Sequence, residues 1–599
     1  MKFNWQWLVT GSVTILCACS TVPQKKAPDI SGPREVQIEH PAPTESAEKF
    51  LRLAKDAEPD RRNLLLFRAA EIWQVQQQCD KSIKVIDILR PELIVPMDIS
   101  QAKLIEAECL LDMGFVPQSQ KLANDIIGQY GLQQRLYTLR ARLLEQQLHW
   151  LDAAIAWQKV ASTNPQANEH IWPLLKKLSL KQLEQASQQN NDLQAWLQLA
   201  IITRKHSADA YRMAFELQTW QARYPNHPAY QNLPKDLDIA LHTVKYQPQS
   251  IAVLLPLSGR LQSQGEALKQ GILAAYFEHE NAQPELTFID SNLMQPQDSV
   301  SIAEQYDFIV GPLEKEKIES LLSTLPADKP VLALNRVANI PPQSQTYFFA
   351  LAPEDEAQQL VEHLLDQGFK KPVLIASGNS SMQRMVSTFS QLWLEKTRFS
   401  PNSVTFESSK SMRTGIADLL EVNQSRARIS QIERLYAKEV YSFYRNRQDI
   451  DAIVIFANAE ETELLVPIIE ASISPFSDMI PVFGSSRSYN QVMSNNSLRD
   501  LRNLTFIDMP WMLPQHPWQE LKHSFDTLWP NHQGSLQRLF AMGYDAYTLI
   551  PHLKHMAILP ELRVSGLTGQ ISLDSHDVLH QEFALGKVEQ EQVIKIELD

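Results

Sequence analysis

A serine three residues ahead of a lysine is the nucleophile–base spacing of one class of acyl-transfer enzymes, and the chain has it twice, at Ser46–Lys49 and Ser100–Lys103. That chemistry also needs Ser-Asp-Asn and Lys-Thr-Gly partners, and neither occurs in the 599 residues. The sequence has no Gly-x-Ser-x-Gly, no His-Glu-x-x-His and no Gly-Lys-Ser/Thr phosphate loop. The 15 histidines do not gather at metal-ligand spacing; His552 and His555, three apart in a helical pattern, read as surface or core residues. The expectation is a protein that is not an enzyme and holds no cofactor or metal.

Composition sets further bounds. Lys plus Arg number 56 and Asp plus Glu 69, a net charge of −13. A chain this acidic is a poor general binder of nucleic acid, because neutralising phosphates needs a basic surface. Glycine is scarce at 18 residues, which favours long helices over glycine-dense architectures. Two of the four cysteines, Cys17 and Cys19, lie in the N-terminal segment, where Lys2 precedes a short apolar run too brief to span a membrane. Leu16-Cys17-Ala18-Cys19 resembles the bacterial lipobox, in which the last cysteine is acylated after residues 1–18 are removed. Ser20 stands where an inner-membrane retention signal would have Asp, so that resemblance implies an outer-membrane lipoprotein facing the periplasm. Residues 19–45 then read as the lipidated cysteine and a disordered tether rich in Pro, Ser, Glu and Lys. No later stretch reaches 18 uninterrupted apolar residues, so the rest is expected to be soluble. Cys79 and Cys109 remain, and both a disulfide and two buried thiols are open readings for them.

The elements follow from periodicity. Residues 46–245 are helical almost throughout, with apolar residues at three- and four-residue steps and short turn signals between. Ala70, Ala107 and Ala141 mark a weak repeat at spacings of 37 and 34 residues, each followed eight residues later by Gln78, Phe115 and His149. That is near the tetratricopeptide period, and a small residue suits the close approach of paired helices. The array is expected to act as a peptide-holding surface or as a spacer.

Residues 250–599 change period. Apolar runs at Ile251–Leu257, Leu286–Asp290, Phe308–Leu313, Val331–Asn335 and Thr346–Ala350 alternate with helices, and a second series has strands at 372–376, 404–406, 452–456 and 481–484. Continuous apolar strands separated by helices predict parallel sheets covered on both faces. Helices are expected near 382–396, 413–446 and 460–472, Leu504–Ile507 as a return to the first lobe, and the tail from Gly566 as antiparallel strands. The fold class is therefore multidomain: an N-terminal all-α, tetratricopeptide-like helical solenoid plus a C-terminal α/β, two-lobed domain resembling the type I periplasmic binding proteins.

The strings Ile251–Arg260, Ile309–Leu313, Phe349–Ala357, Arg428–Ala437, Asp449–Phe456 and Gly566–Asp574, taken with the lipobox and the helical array, resemble the LppC/LpoA family of lipoproteins. The resemblance implies a protein that docks on a class A penicillin-binding protein, the bifunctional peptidoglycan synthase, and stimulates its transpeptidase. In it the helices give reach and the C-terminal head makes the contact. The alternative is a solute-binding lipoprotein with a small ligand between its lobes.

Three features could serve binding. A helix across Arg426–Arg447 would bury Ile429, Ile432, Leu435, Val440 and Phe443 and project Arg426, Arg428, Arg434, Arg445 and Arg447 toward an acidic partner. The loop after a strand end holds Ser486, Arg487 and Tyr489, donors suited to a cleft ligand. Trp511 and Trp518, in a proline-flanked segment, are candidate interface anchors or members of a structural turn.

Overall fold

The computed structural model describes residues 46–126, 131–189, 192–206, 210–278, 283–337, 345–435, 441–491 and 493–596. The lipobox with Cys19, the tether, and Val440 lie outside these residues. Two compact units divide the chain, Met1–Leu148 and His149–Asp599. Helices run from Ala47 to His242, and the first strand starts at Ser250.

In the first unit the alanine repeat has a physical basis. Ala70, in helix Pro59–Val75, and Ala107, in helix Pro96–Asp112, are fully buried. Ser82 donates its hydroxyl to the Ala70 carbonyl at 2.8 Å, and Ser119 makes the same bond to Ala107 at 2.6 Å. Each repeat thus spends a small side chain and a hydroxyl on one helix–helix contact. The turns repeat as well. Gln77, Gly114 and Leu148 are all left-handed, at φ 60°, 83° and 62°. Gln78, Phe115 and His149 follow them as helix N-caps with near-identical backbone angles. Glu71 and Glu108, equivalent in the repeat, share one guanidinium: Arg135 lies 3.0 Å from Glu71 and 2.6 Å from Glu108.

In the second unit, the array's helix Gln194–His206 reaches the α/β region through Arg204, which donates to the Glu561 carbonyl at 2.8 Å. The first lobe holds β1 (Ser250–Leu255), β2 (Glu285–Asp290), β3 (Phe308–Val310), β4 (Val331–Ala333) and β5 (Thr346–Phe349). The second holds β6 (Pro372–Ser377), β7 (Asn402–Phe406), β8 (Ala452–Phe456), β9 (Val482–Gly484) and β10 (Leu504–Asp508). Both parallel sheets have the order 2-1-3-4-5 counted within the lobe. Two such lobes joined by crossovers are the topology of type I periplasmic binding proteins. The tail divides between them. β11 (Val564–Gly566), β12 (Gly569–Leu573) and β13 (Val578–Glu582) extend the first sheet, with β13 parallel to β5; β14 (Ala584–Glu589) and β15 (Gln592–Ile596) extend the second. The expectation that Leu504–Ile507 returns to the first lobe is corrected: β10 pairs with β9 and β14 and stays in the second sheet.

The predicted helix over 413–446 is also two shorter ones, Ser409–Leu419 and Val422–Leu435, and 441–449 is not helical. Glu421 between them takes a left-handed φ of 57°, which ends the first helix without a glycine.

Helix Ser535–Leu549 contributes to the cores of both lobes: Met542, Ala546 and Leu549 pack with Leu268 and Ile272 of helix Gln262–Glu278 in the first, and Phe540, Ala541 and Tyr544 pack with Leu374, Phe456 and Trp511 in the second. The two helices meet backbone to backbone. A Cβ on Gly271 would lie 2.0 Å from the Phe540 carbonyl oxygen, and one on Gly543 would lie 2.1 Å from that of Leu268. In a chain with only 18 glycines, two are placed where nothing larger fits.

Helix propensity alone would make alanine at either position stabilising by about 1 kcal/mol. The close approach reverses the sign: Gly271→Ala and Gly543→Ala should each lose about 3 kcal/mol, an overpacking penalty. Urea unfolding of the two variants checks this, and an unchanged or raised midpoint would contradict the contact.

Candidate functional site

The C-terminal ends of β3, β4, β5, β6 and β9 converge between the lobes, where open parallel sheets leave their side chains and loops free to meet a ligand. They enclose a cavity of about 570 Å³ lined on one side by Lys315, Asn335, Arg336, Leu539 and Met542 and on the other by Ser381, Arg384 and Arg487. A second hollow, of about 730 Å³, opens by the start of β1 among Tyr246, Pro248, Tyr547 and His552, and among the described residues its lining includes no Lys, Arg, Asp or Glu.

Each wall of the interlobe cavity is held by hydrogen-bonded charges. Arg336 grips Asp355 with both terminal nitrogens, at 2.9 and 2.5 Å, and donates to the Leu579 carbonyl at 2.9 Å. His580 closes the network, 3.1 Å from Asp355 and 3.2 Å from Asp574. Burial works to raise Asp355, but the hydrogen bonds from His580 and Arg336 outweigh it and hold the carboxyl below its ordinary range. The same bond to Asp355 raises His580 above the ordinary histidine value. Across the cavity, Arg384 binds Glu354 in a two-pronged pair at 2.7 and 2.7 Å.

Behind these walls the lobes are pinned by buried polar groups. Glu356 accepts from the Ser486 amide at 2.9 Å and its hydroxyl at 3.0 Å. Burial pushes the Glu356 carboxyl up. Arg538 holds Asp508 at 3.1 and 2.5 Å and donates to the Ser486 carbonyl at 2.6 Å.

The sequence-derived cleft residues divide. Arg487 lines the cavity, whereas Ser486 is buried and occupied by Glu356 and Arg538. Tyr489 packs its ring 4.8 Å from that of Phe506 and is not among the lining residues. Trp511 is 0% exposed in the Pro510–Met512 turn, stacked on Phe540 at 5.5 Å, so it is a core residue and no exposed anchor. Trp518 is half-buried against the same core.

Most of the predicted apolar stripe is not buried; Ile429 alone among its described members is half-buried. Ile432 and Phe443 are exposed, Leu435 is 85% exposed and Tyr441 96%. The sheet face is already covered by the helix Ser409–Leu419, and Val422–Leu435 buries only Val422 and Ser425. Arg426 lies over the Tyr444 ring at 4.8 Å, and Arg447 pairs with Asp449 at 2.8 Å. That pairing lowers Asp449 to about 2. Arg428, Arg434 and Arg445 are exposed. Cys79 and Cys109 are two buried free thiols in contact with each other, both raised by burial. His555 is buried, and His552 borders the larger hollow. Sequence reasoning missed Lys315, Arg336, Asp355, Arg384 and His580. Arg336 alone carried a signal, directly following a strand end.

A helical array leading into a two-lobed, binding-protein-like head with a cationic interlobe cavity defines the class of protein. Among the described residues no helix is long and apolar enough to cross a membrane. The family model described as "LppC putative lipoprotein" matches residues 41–586, and the chain belongs to this LppC family. A curated relative from Photobacterium profundum, named penicillin-binding protein activator LpoA, is 32% identical over 463 residues, 75% of this chain and 74% of the relative. One of the same name from Vibrio cholerae is 29% identical over 593 residues, 95% of each chain. Among solved structures, LpoA of Haemophilus influenzae matches with a TM-score of 0.64 at 20% identity, covering 93% of this chain and 99% of that one. It shares the fold.

The His580 link makes stability depend on pH. Its folded-state pKa is raised, so its contribution is complete below the ordinary histidine value of 6.5 and is lost as pH rises through the higher folded value. His580→Gln keeps a hydrogen bond without the charge. The melting-temperature advantage of wild type over this variant should be larger at pH 6 than at pH 9, and equal advantages would contradict the charged link.

Proposed function

We propose that this chain is a regulator of peptidoglycan synthesis without catalytic activity of its own. Acylated at Cys19 and anchored in the outer membrane, it docks on a class A penicillin-binding protein and stimulates its transpeptidase. The observation that carries this reading is the match, over 95% of both chains, to relatives named for activating a penicillin-binding protein. The lipobox around Cys19 supports the anchor, and the array supplies reach from it. Stimulation requires the head to bind the crosslinking-competent state of the synthase more tightly than its other states.

The docking surface is the edge of the second lobe that exposes Arg428, Arg434 and Arg445 together with Ile432, Leu435, Tyr441 and Phe443. Exposed apolar residues and exposed arginines in one segment, on a chain of net charge −13, suit an acidic surface of the synthase. Phe476 is exposed there too, in edge-to-face contact with Phe443 at 5.1 Å.

The full-length lipoprotein in detergent should bind the class A synthase of its own organism and raise crosslinking in a reconstituted reaction. Absence of binding at about 10 µM would remove the reading. Replacing Arg428, Arg434 and Arg445 together by Glu should weaken binding about tenfold or more while leaving the melting temperature in place. Unchanged affinity would move the docking surface elsewhere.

A further inference from the structure

One stretch of the first unit turns hydrocarbon to water. Ile94, Val95, Pro96 and Met97 are consecutive and all exposed, Ile94 at 88%, and Ile99 is exposed two residues later. Nowhere else among the described residues are four consecutive apolar residues exposed. Such a run on a folded domain marks a surface that meets something apolar. The segment is firmly held. Leu89 and Ser100 at its two ends are buried, and Leu93 packs against the core of the unit. Ion pairs from Arg62 to Glu92 at 2.8 Å and from Arg90 to Glu106 at 2.6 Å brace its approach. A local rule of helix capping is broken in the same place. Val95 is the N-cap of helix Pro96–Asp112 and offers no side-chain hydrogen bond, where Ser, Thr, Asp or Asn would satisfy an orphan amide. An apolar residue there costs the helix stability, so what favours it lies outside the fold.

The chemistry of the run selects its occupant. From Leu93 to Met97 there is no charged side chain and no aromatic ring, whereas protein interfaces are anchored on Trp, Tyr and Arg. Aliphatic side chains that neither donate nor accept hydrogen bonds suit lipid hydrocarbon. The chain also brings this unit to a membrane. Only the 26 residues Ser20–Glu45 separate Cys19 from Ser46, a span of at most about 90 Å at full extension. The longest helices of the unit have 17 residues, about 25 Å. Any face of the unit can therefore reach the bilayer that holds Cys19, and the apolar run decides which one does. We propose that Ile94, Val95, Met97 and Ile99 insert at the headgroup–acyl boundary of a phospholipid bilayer and seat the first unit on the membrane. This seat presupposes the lipid anchor at Cys19 and adds to it a second attachment, made by the folded chain itself.

The probe is a vesicle of phosphatidylethanolamine and phosphatidylglycerol that carries nickel-chelating lipid, with the chain Ser20–Asp599 held on it by an N-terminal histidine tag. The tag stands in for the acyl chains, so the outcome does not depend on acylation of Cys19, which the mass of the mature N-terminus tests separately. A second attachment slows release. Wild type should leave the vesicles about tenfold more slowly than Ile94→Asp or Val95→Asp. Val95→Asp also supplies the missing cap and should keep or raise the melting temperature, so its weaker hold is not unfolding. Equal release rates for wild type and both variants would overturn the proposal. So would a concentration-dependent dimer of wild type in sedimentation that Val95→Asp abolishes, because a second copy would then cover the run.

Discussion

Gly271 and Gly543 let two helices touch main chain to main chain, and the geometry of the head follows from that contact. Helix Ser535–Leu549 is fixed through Gly543 to the first lobe, and through Phe540 and Arg538 to Trp511 and Asp508 of the second. Asp545, one turn on, accepts from the Leu567 and Thr568 amides at 2.8 and 2.7 Å and so ties the tail to the same helix. A two-lobed fold is usually free to hinge, because its lobes are joined only by crossovers. Here one helix supplies both with core, and hinging would expose Phe540, Tyr544 and Trp511 to water. Buried apolar area at about 25 cal/mol per Å² makes that opening unfavourable.

A fixed head suits a protein that acts by being bound. If docking selects one state of a partner, the binding surface must not spend its free energy on ordering itself, and preorganisation lowers that loss. The buried charges contribute to the same end. Asp355, Glu356 and Asp508 each have defined partners, and breaking any one pair would leave an unsatisfied buried group, a penalty of several kcal/mol. The first unit repeats the device on a smaller scale, where Arg135 serves two carboxylates from equivalent places in consecutive repeats.

Much of this was legible in the sequence. Ala70 and Ala107 revealed the helical repeat because a small residue is the only solution where helices approach closely. The apolar runs of β1, β3, β6 and β8 revealed parallel sheets because strands buried on both faces have no polar alternation. What escaped depends on backbone angles and distant pairing. The break at Glu421 is a left-handed turn on an ordinary residue, and a continuous apolar period across it predicted one helix where there are two. Trp511 was open to two readings, interface anchor or member of a structural turn, and the Pro510–Met512 turn with its buried ring decides for the second. The cavity draws on segments after five strands and a returning helix, so its cations, up to 172 residues apart between Lys315 and Arg487, have no local pattern to reveal them.

The most direct test of a fixed head is pulsed hydrogen exchange during urea unfolding of the full-length protein, read by mass spectrometry on peptides from each sheet. The account predicts that β1–β5, β6–β10 and helix Ser535–Leu549 lose protection together at one urea midpoint. Separate midpoints for the two sheets, with the helix following only one of them, would show that the lobes are independent and contradict it.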